Sequence, residues 1–215
     1  MTDANRGFQV VLPTQAALRL RARSRDLLAV LRSAATTSPS SEDAALRARL
    51  MPNPYPDDNE AAEEFARLSG SEVADGKRSR AAGLIAAVER ALEDAGCKLS
   101  TVEALAPTEL GAPWPPSRTP IPEQLIFELH EGDALDWVRA VTDLRLALAH
   151  RLGIVDQDTA DRIESADLPE HLRSMRDDYI FFATFQEGLV SALSQPVPGD
   201  DSAPGGSSDP DFPNF

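Results

Sequence analysis

Most apolar residues of this chain recur every three or four positions, the spacing that aligns one face of an α-helix. Two short runs depart from it. Phe8-Gln9-Val10-Val11-Leu12 is rich in β-branched and aromatic residues and stops at Pro13, which predicts a strand; Leu125-Ile126-Phe127-Glu128-Leu129 predicts a second. Each run leads into helical spacing. From Thr14 to Ser33, the residues Ala17, Leu20, Ser24, Leu27, Leu28 and Leu31 share a face, with Arg19, Arg21, Arg23 and Arg25 mostly off it. From Trp137 onward, Val138, Val141, Leu144, Leu148 and Leu152 continue a stripe that Gly153 ends. A shift of 117 residues superposes the two segments, placing Leu12 on Leu129, Ala17 on Ala134, Asp26 on Asp143 and Leu31 on Leu148. The repeat predicts that the two strands pair as a ribbon and carry their helices side by side.

Between the copies, a short helix is expected from about Glu42 to Leu50. Pro52, Pro54 and Pro56 then enforce an extended path. Asp57 with Glu60 has capping-box spacing for a helix to about Leu68, and Ser69 with Glu72 repeats the signal for a second helix to about Ala95, with Gly96 as its stop. The prolines of residues 98–124 predict a long loop, with a helical turn from Thr101 to Leu105. Beyond the second copy, a helix is expected near Thr159 to Ala166 and a long one from Leu168 to Leu193. The latter carries Leu172, Met175, Tyr179, Phe182, Gln186 and Leu189 on one side and Phe181 and Phe185 on another. Two apolar sides predict a central place in a bundle, with a homodimer interface as the alternative. The adjacent pair Asp177-Asp178 reads as a solvated face. Residues 1–7 read as a flexible terminus, and the Pro, Gly, Ser and Asp of residues 196–215 as a disordered acidic tail. The expected fold is therefore mainly α: a single-domain helical bundle over residues 8–195 with at most a small two-stranded ribbon.

Charge and chemistry narrow the function. With 35 acidic and 21 basic residues, the net charge of -14 disfavours strong direct binding to nucleic acid. No apolar run approaches the roughly 20 residues of a membrane span, and the first residues lack a signal peptide's basic patch, so a cytoplasmic protein is expected. Cys97 is the only cysteine, which excludes an intramolecular disulfide and an all-cysteine metal site. Glycine-rich phosphate loops, a serine elbow and paired zinc-ligand motifs are absent, and His130, His150 and His171 are scattered. The expectation is a non-enzymatic protein with no catalytic residue, no metal and no cofactor.

Two residues stand out. Arg145 projects from within an apolar stripe, where an unpaired charge costs several kcal/mol. It either anchors the acidic residues Asp57, Asp58 or Glu64 as an ion pair, or lines a ligand or partner groove. Cys97, after Gly96 at a helix end, is either an inert, half-buried thiol or an exposed one open to oxidation. Lys77, Arg78 and Arg80 are expected to offset nearby acids.

Three blocks carry a family resemblance: Arg49 through Phe65, including Met51-Pro52-Asn53-Pro54-Tyr55-Pro56-Asp57-Asp58; Trp137 through Leu152; and Gln186-Glu187-Gly188-Leu189-Val190. Through them the chain resembles an actinobacterial family, formerly a domain of unknown function, that includes oxidative-stress regulators of the AosR type. The resemblance implies transcription regulation through a stress sigma factor, or RNA polymerase, as partner. The gene neighbourhood of that family, beside the Clp adaptor ClpS, gives the alternative of an accessory in Clp-linked protein turnover. Thr142 and Ala149-His150 stand where the family usually has Asn and a Gly-Thr pair. A two-cysteine switch within one subunit has only Cys97 here, so a redox response would need a second subunit or a small thiol.

Overall fold

The two β-runs pair with one another. The computed structural model describes residues 7–32, 41–97 and 122–195. Within these, β1 (Gly7–Pro13) and β2 (Gln124–His130) form an antiparallel ribbon in which Phe8 faces Leu129, Val10 faces Phe127 and Leu12 faces Leu125. Thr14 N–H donates to the Glu123 carbonyl at 2.9 Å and extends the ladder by one rung. Leu12, Leu125, Phe127 and Leu129 turn inward, while Val11 and Ile126 face out, as period-two alternation requires.

Each strand runs directly into a helix: β1 into α1 (Thr14–Arg32) and β2 into α4 (Glu131–Arg151). Then come α2 (Ser41–Leu50) and α3 (Asn59–Asp94) after the first copy, α5 (Gln157–Ser165) and α6 (Glu170–Ser194) after the second. The order strand, long helix, short helix, long helix therefore occurs twice. A shift of 117 residues carries β1 onto β2 end for end, and Val10 and Phe127, equivalent under that shift, are paired with each other. Equivalent strands that pair antiparallel about equivalent residues are related by a local two-fold axis. α1 touches α4, but α1 packs chiefly on α3 and α4 chiefly on α6.

The protein is mainly α, with one small two-stranded sheet. Its main core is built from Leu20, Leu27 and Leu31 of α1, Leu84, Val88 and Leu92 of α3, and Trp137, Val141 and Leu144 of α4, and a smaller cluster of Ala149, Leu152 and Ile154 lies at the end of α4. α4 is the central helix, in contact with α1, α2, α3, α6 and both strands. The central place expected for α6 is thus taken by α4; α6 buries only Asp178, Phe182 and Leu189 and spends its second apolar side on Phe181 and Phe185, whose rings stack at 6.0 Å.

A second correction concerns α3. In place of two helices meeting near Ser69, one helix of 36 residues runs unbroken. Ser69 and Glu72 carry capping residue types, yet neither forbids helical backbone, and Gly70 only weakens it. The Gly96 stop is as expected. With φ +78°, Gly96 lets Cys97 N–H donate to the Leu92 carbonyl and its own N–H to Glu93, the Schellman cap. Gly153 repeats this at the end of α4, with Ile154 N–H on the Ala149 carbonyl. The expectations for residues 1–6, 33–40, 98–121 and 196–215 lie outside the described residues.

Candidate functional site

Charge is handled inside the molecule to an unusual degree. Arg21 and Arg23 of α1 are buried, not solvated: Arg21 Nε donates to Glu89 Oε1 of α3 at 2.8 Å, and Arg23 Nε to Asp178 Oδ2 of α6 at 2.8 Å. Arg19 adds a 3.3 Å ion pair to Asp178, which is wholly buried. Asp178 therefore does not belong to a solvated face. Its burial lifts the carboxyl above the ordinary value, against the pull of Arg23 and then Arg19. Lys77 pairs with the buried Asp143 of α4, and Arg78 with Asp75. Arg80 alone of that basic trio has no such pair among the described residues, and its Nε has no hydrogen-bond partner. It lines a groove of about 730 Å³ between α3 and the outer edge of β2, walled by Leu84, Phe127 and Trp137.

Arg145 does not reach Asp57, Asp58 or Glu64. Asp58 caps α3, accepting from Ala61 N–H at 3.0 Å, Glu64 pairs with Arg67 at 2.6 Å, and Asp57 is exposed. The ion pair expected from sequence is absent because α3 carries these acids away from α4. Arg145 Nη1 donates instead to Gln186 Oε1 of α6 at 2.8 Å, and Gln186 Nε2 donates to Thr142 Oγ1 at 2.6 Å. The Arg145 guanidinium carbon lies 5.5 Å from the Tyr179 ring centroid, a cation–π contact, and its Nε is buried without a partner. Beside it, Arg49 Nη2 donates to the Ile154 carbonyl at 2.8 Å.

Arg49 and Arg145 line a cavity of about 300 Å³ at the junction of α4, the Gly153 turn and the start of α5. Asp156 is its one carboxylate. It caps α5, accepting from Thr159 N–H at 2.8 Å, and those bonds hold it below the usual carboxylate range. The three blocks singled out in the sequence meet here: Arg49 comes from the first, Thr142 and Arg145 from the second, and Gln186 from the third.

Cys97 is buried, 4 % exposed, packed in the core with Leu92 beneath the α3 cap. The exposed alternative for this thiol is not what the fold provides. No group of three or more His, Cys, Asp or Glu among the described residues could hold a metal ion. No helix there is long and apolar enough to cross a membrane.

The remaining feature is an arm. Residues 51–80 include no buried residue although they contain more than half of α3. Tyr55 and Phe65 meet edge to face at 6.2 Å, holding the proline turn against the helix start. Six acids lie exposed between Asp57 and Glu72 against the single base Arg67. Tyr55, Leu68 and Val73 are 45 %, 60 % and 38 % exposed.

Buried ion pairs of the Arg23–Asp178 kind are readable once α6 is laid out: Asp178 falls in line with Met175, Phe182, Phe185 and Leu189. Arg23 likewise falls in line with Leu20 and Leu27. No curated protein and no solved structure matches the chain. Residues 2–193 match the family described as a domain of unknown function, DUF2017, a span that takes in both strands and, but for the last residue of α6, the six helices of the described residues together with the Arg145 cluster, and the chain belongs to that family.

Proposed function

We propose that the protein is a non-enzymatic interaction module that acts in transcription regulation during oxidative stress through a protein partner, a sigma factor or RNA polymerase. The contact surface is the exposed arm at the start of α3. The observation that carries the interaction reading is that residues 51–80 bury nothing, yet hold Leu68 and Val73 open to solvent beside a dense run of acids. Ahead of Lys77, which ties α3 to Asp143 of α4, the first turns of the helix bury no side chain and gain little from the rest of the fold, so their exposed side chains are available to a partner. Route to a promoter through a partner also suits the charge, since the net -14 repels phosphates and the arginines of α1 are spent on Glu89 and Asp178. The regulatory and oxidative-stress parts of the proposal rest on the three resembling blocks. With Cys97 buried, an oxidant-dependent response requires the end of α3 to open.

The test is affinity purification of the tagged protein from its own host, reduced and peroxide-treated, for the native chain, Leu68→Asp/Val73→Asp and Cys97→Ser. Recovery of a sigma factor or polymerase subunit that the arm variant loses is the expected result. Recovery unaffected by the arm variant would remove the arm as the contact, and recovery of Clp components alone would replace regulation with turnover. A change with peroxide that Cys97→Ser abolishes would establish the redox part.

A further inference from the structure

An arginine within an apolar helix face calls for an anion, and the fold supplies none for Arg145: among the described residues no carboxylate pairs with it. Its contacts are a neutral amide, Gln186, and the Tyr179 ring, and its Nε–H is buried and unsatisfied. Arg49, the second cation on the same cavity, has the Ile154 carbonyl as its hydrogen-bond acceptor. Two guanidiniums thus face about 300 Å³ with one carboxylate, Asp156, which is already engaged by Thr159. The cavity keeps one net positive charge. Leu146, Ala149, Ile154, Val155 and Ala160 give it an apolar wall, and Thr142, Gln157 and Tyr179 complete the lining.

We infer that this cavity binds a small amphipathic monocarboxylate. The carboxylate is received by Arg145 and Arg49, satisfying donors that the chain leaves open, and the apolar part lies along Leu146, Ile154 and Val155. Charge count selects a monoanion over a phosphate dianion, which would meet Asp156 with a surplus of negative charge. The cavity size corresponds to the low end of small-molecule sites. The Gly153 turn and the start of α5 form its rim, so occupancy would order the segment that joins α4 to α5. The site is separate from the α3 arm, and its binding is read without any protein partner.

The test uses the full chain and hexanoate as probe, followed by amide chemical shifts, with hexanol as the uncharged counterpart of the same length. Saturable shifts confined to the cavity's own segments, around Arg49, in residues 142–149 and 153–160 and around Tyr179, are expected for hexanoate, with hexanol at least about tenfold weaker, the scale of one lost charge-assisted hydrogen-bond pair. Arg145→Gln and Arg49→Gln should each weaken hexanoate by a similar factor while leaving the affinity for hexanol unchanged. Circular dichroism establishes that each variant is folded, and Arg49→Gln carries the test if Arg145→Gln does not fold. Equal affinity for hexanoate and hexanol, shifts elsewhere in the protein, no saturation, or unchanged affinity in a folded variant would each overturn the proposal.

Discussion

Asp178 shows how a single residue ties two helices together. It lies on α6, is wholly buried and pairs with two arginines of α1, so removing it leaves the buried Arg23 only a long 3.5 Å contact to the exposed Asp26. Asp178→Ala should cost about 3–5 kcal/mol in urea unfolding, the range for breaking a buried pair from one side. Its pH signature has a definite sign. Because the folded carboxyl titrates above its ordinary 3.8, the native state holds a proton that the unfolded chain has released. Stability from this group is fully present below about 3.8 and is lost as pH rises through the raised value. Asp178→Asn should lack that fall. Cys97 makes a second residue-scale prediction: a thiol reagent should label the native protein slowly and the urea-unfolded protein at once. Rapid labelling of the native state would show that the α3 cap opens freely. As an adjacent pair Asp177-Asp178 reads as surface, and only the helical register that lines Asp178 up with Met175 and Phe182 marks it as inward; Gly96-Cys97 reads as a helix end, and burial of the thiol follows from which face tertiary packing covers.

At the scale of elements, spacing located every helix and strand of the described residues, but it misjudged continuity and rank. The apparent start signals at Ser69 and Glu72 describe what a helix end tolerates, and nothing there forces one. Gly70→Ala is a direct check, because the added methyl would sit 4.0 Å from Ala66, an ordinary contact. In a continuous helix it should stabilise by about 0.5–1 kcal/mol. Gly96→Ala, at φ +78°, should destabilise by a similar amount. The capped start of α5 has its own pH dependence. Asp156 is held below its ordinary range by Thr159, so its contribution is present above about 3.8 and disappears as pH falls through the lowered value. Amide exchange in α5 should rise on acidification, and Asp156→Ala should show that faster exchange already at neutral pH. The ranking of α6 as central failed for a different reason: two apolar sides on one helix were satisfied by ring stacking along its own surface and chiefly by one neighbour, α4.

For the molecule as a whole, the repeat of strand and helix was legible and its symmetry was not. Shared leucines at a fixed offset predict similar elements, but the pairing of Val10 with Phe127 about a local axis is set by register, which the offset does not contain. The two halves are also unequal in burial. Phe127 is in the core, whereas its equivalent Val10 is only partly covered, so Phe127→Ala should cost about 3–5 kcal/mol and Val10→Ala clearly less. The candidate site was legible in one member only. Arg145 was conspicuous as a charge in an apolar stripe, and Thr142 lies one turn away on the same helix, but Arg49 and Gln186 join them from two distant stretches that no local pattern connects.

The ribbon also orders events during synthesis. β1 emerges from the ribosome before β2, the strand it pairs with among the described residues, which lies more than a hundred residues downstream. At roughly 5–20 residues per second the nascent chain waits on the order of 6–20 seconds for β2 to follow. Arg23 waits longer, since Asp178 is 155 residues away. Through that interval the first half must hold its apolar face and its unmatched arginines without the second, and chaperones that screen growing chains would meet it in that form.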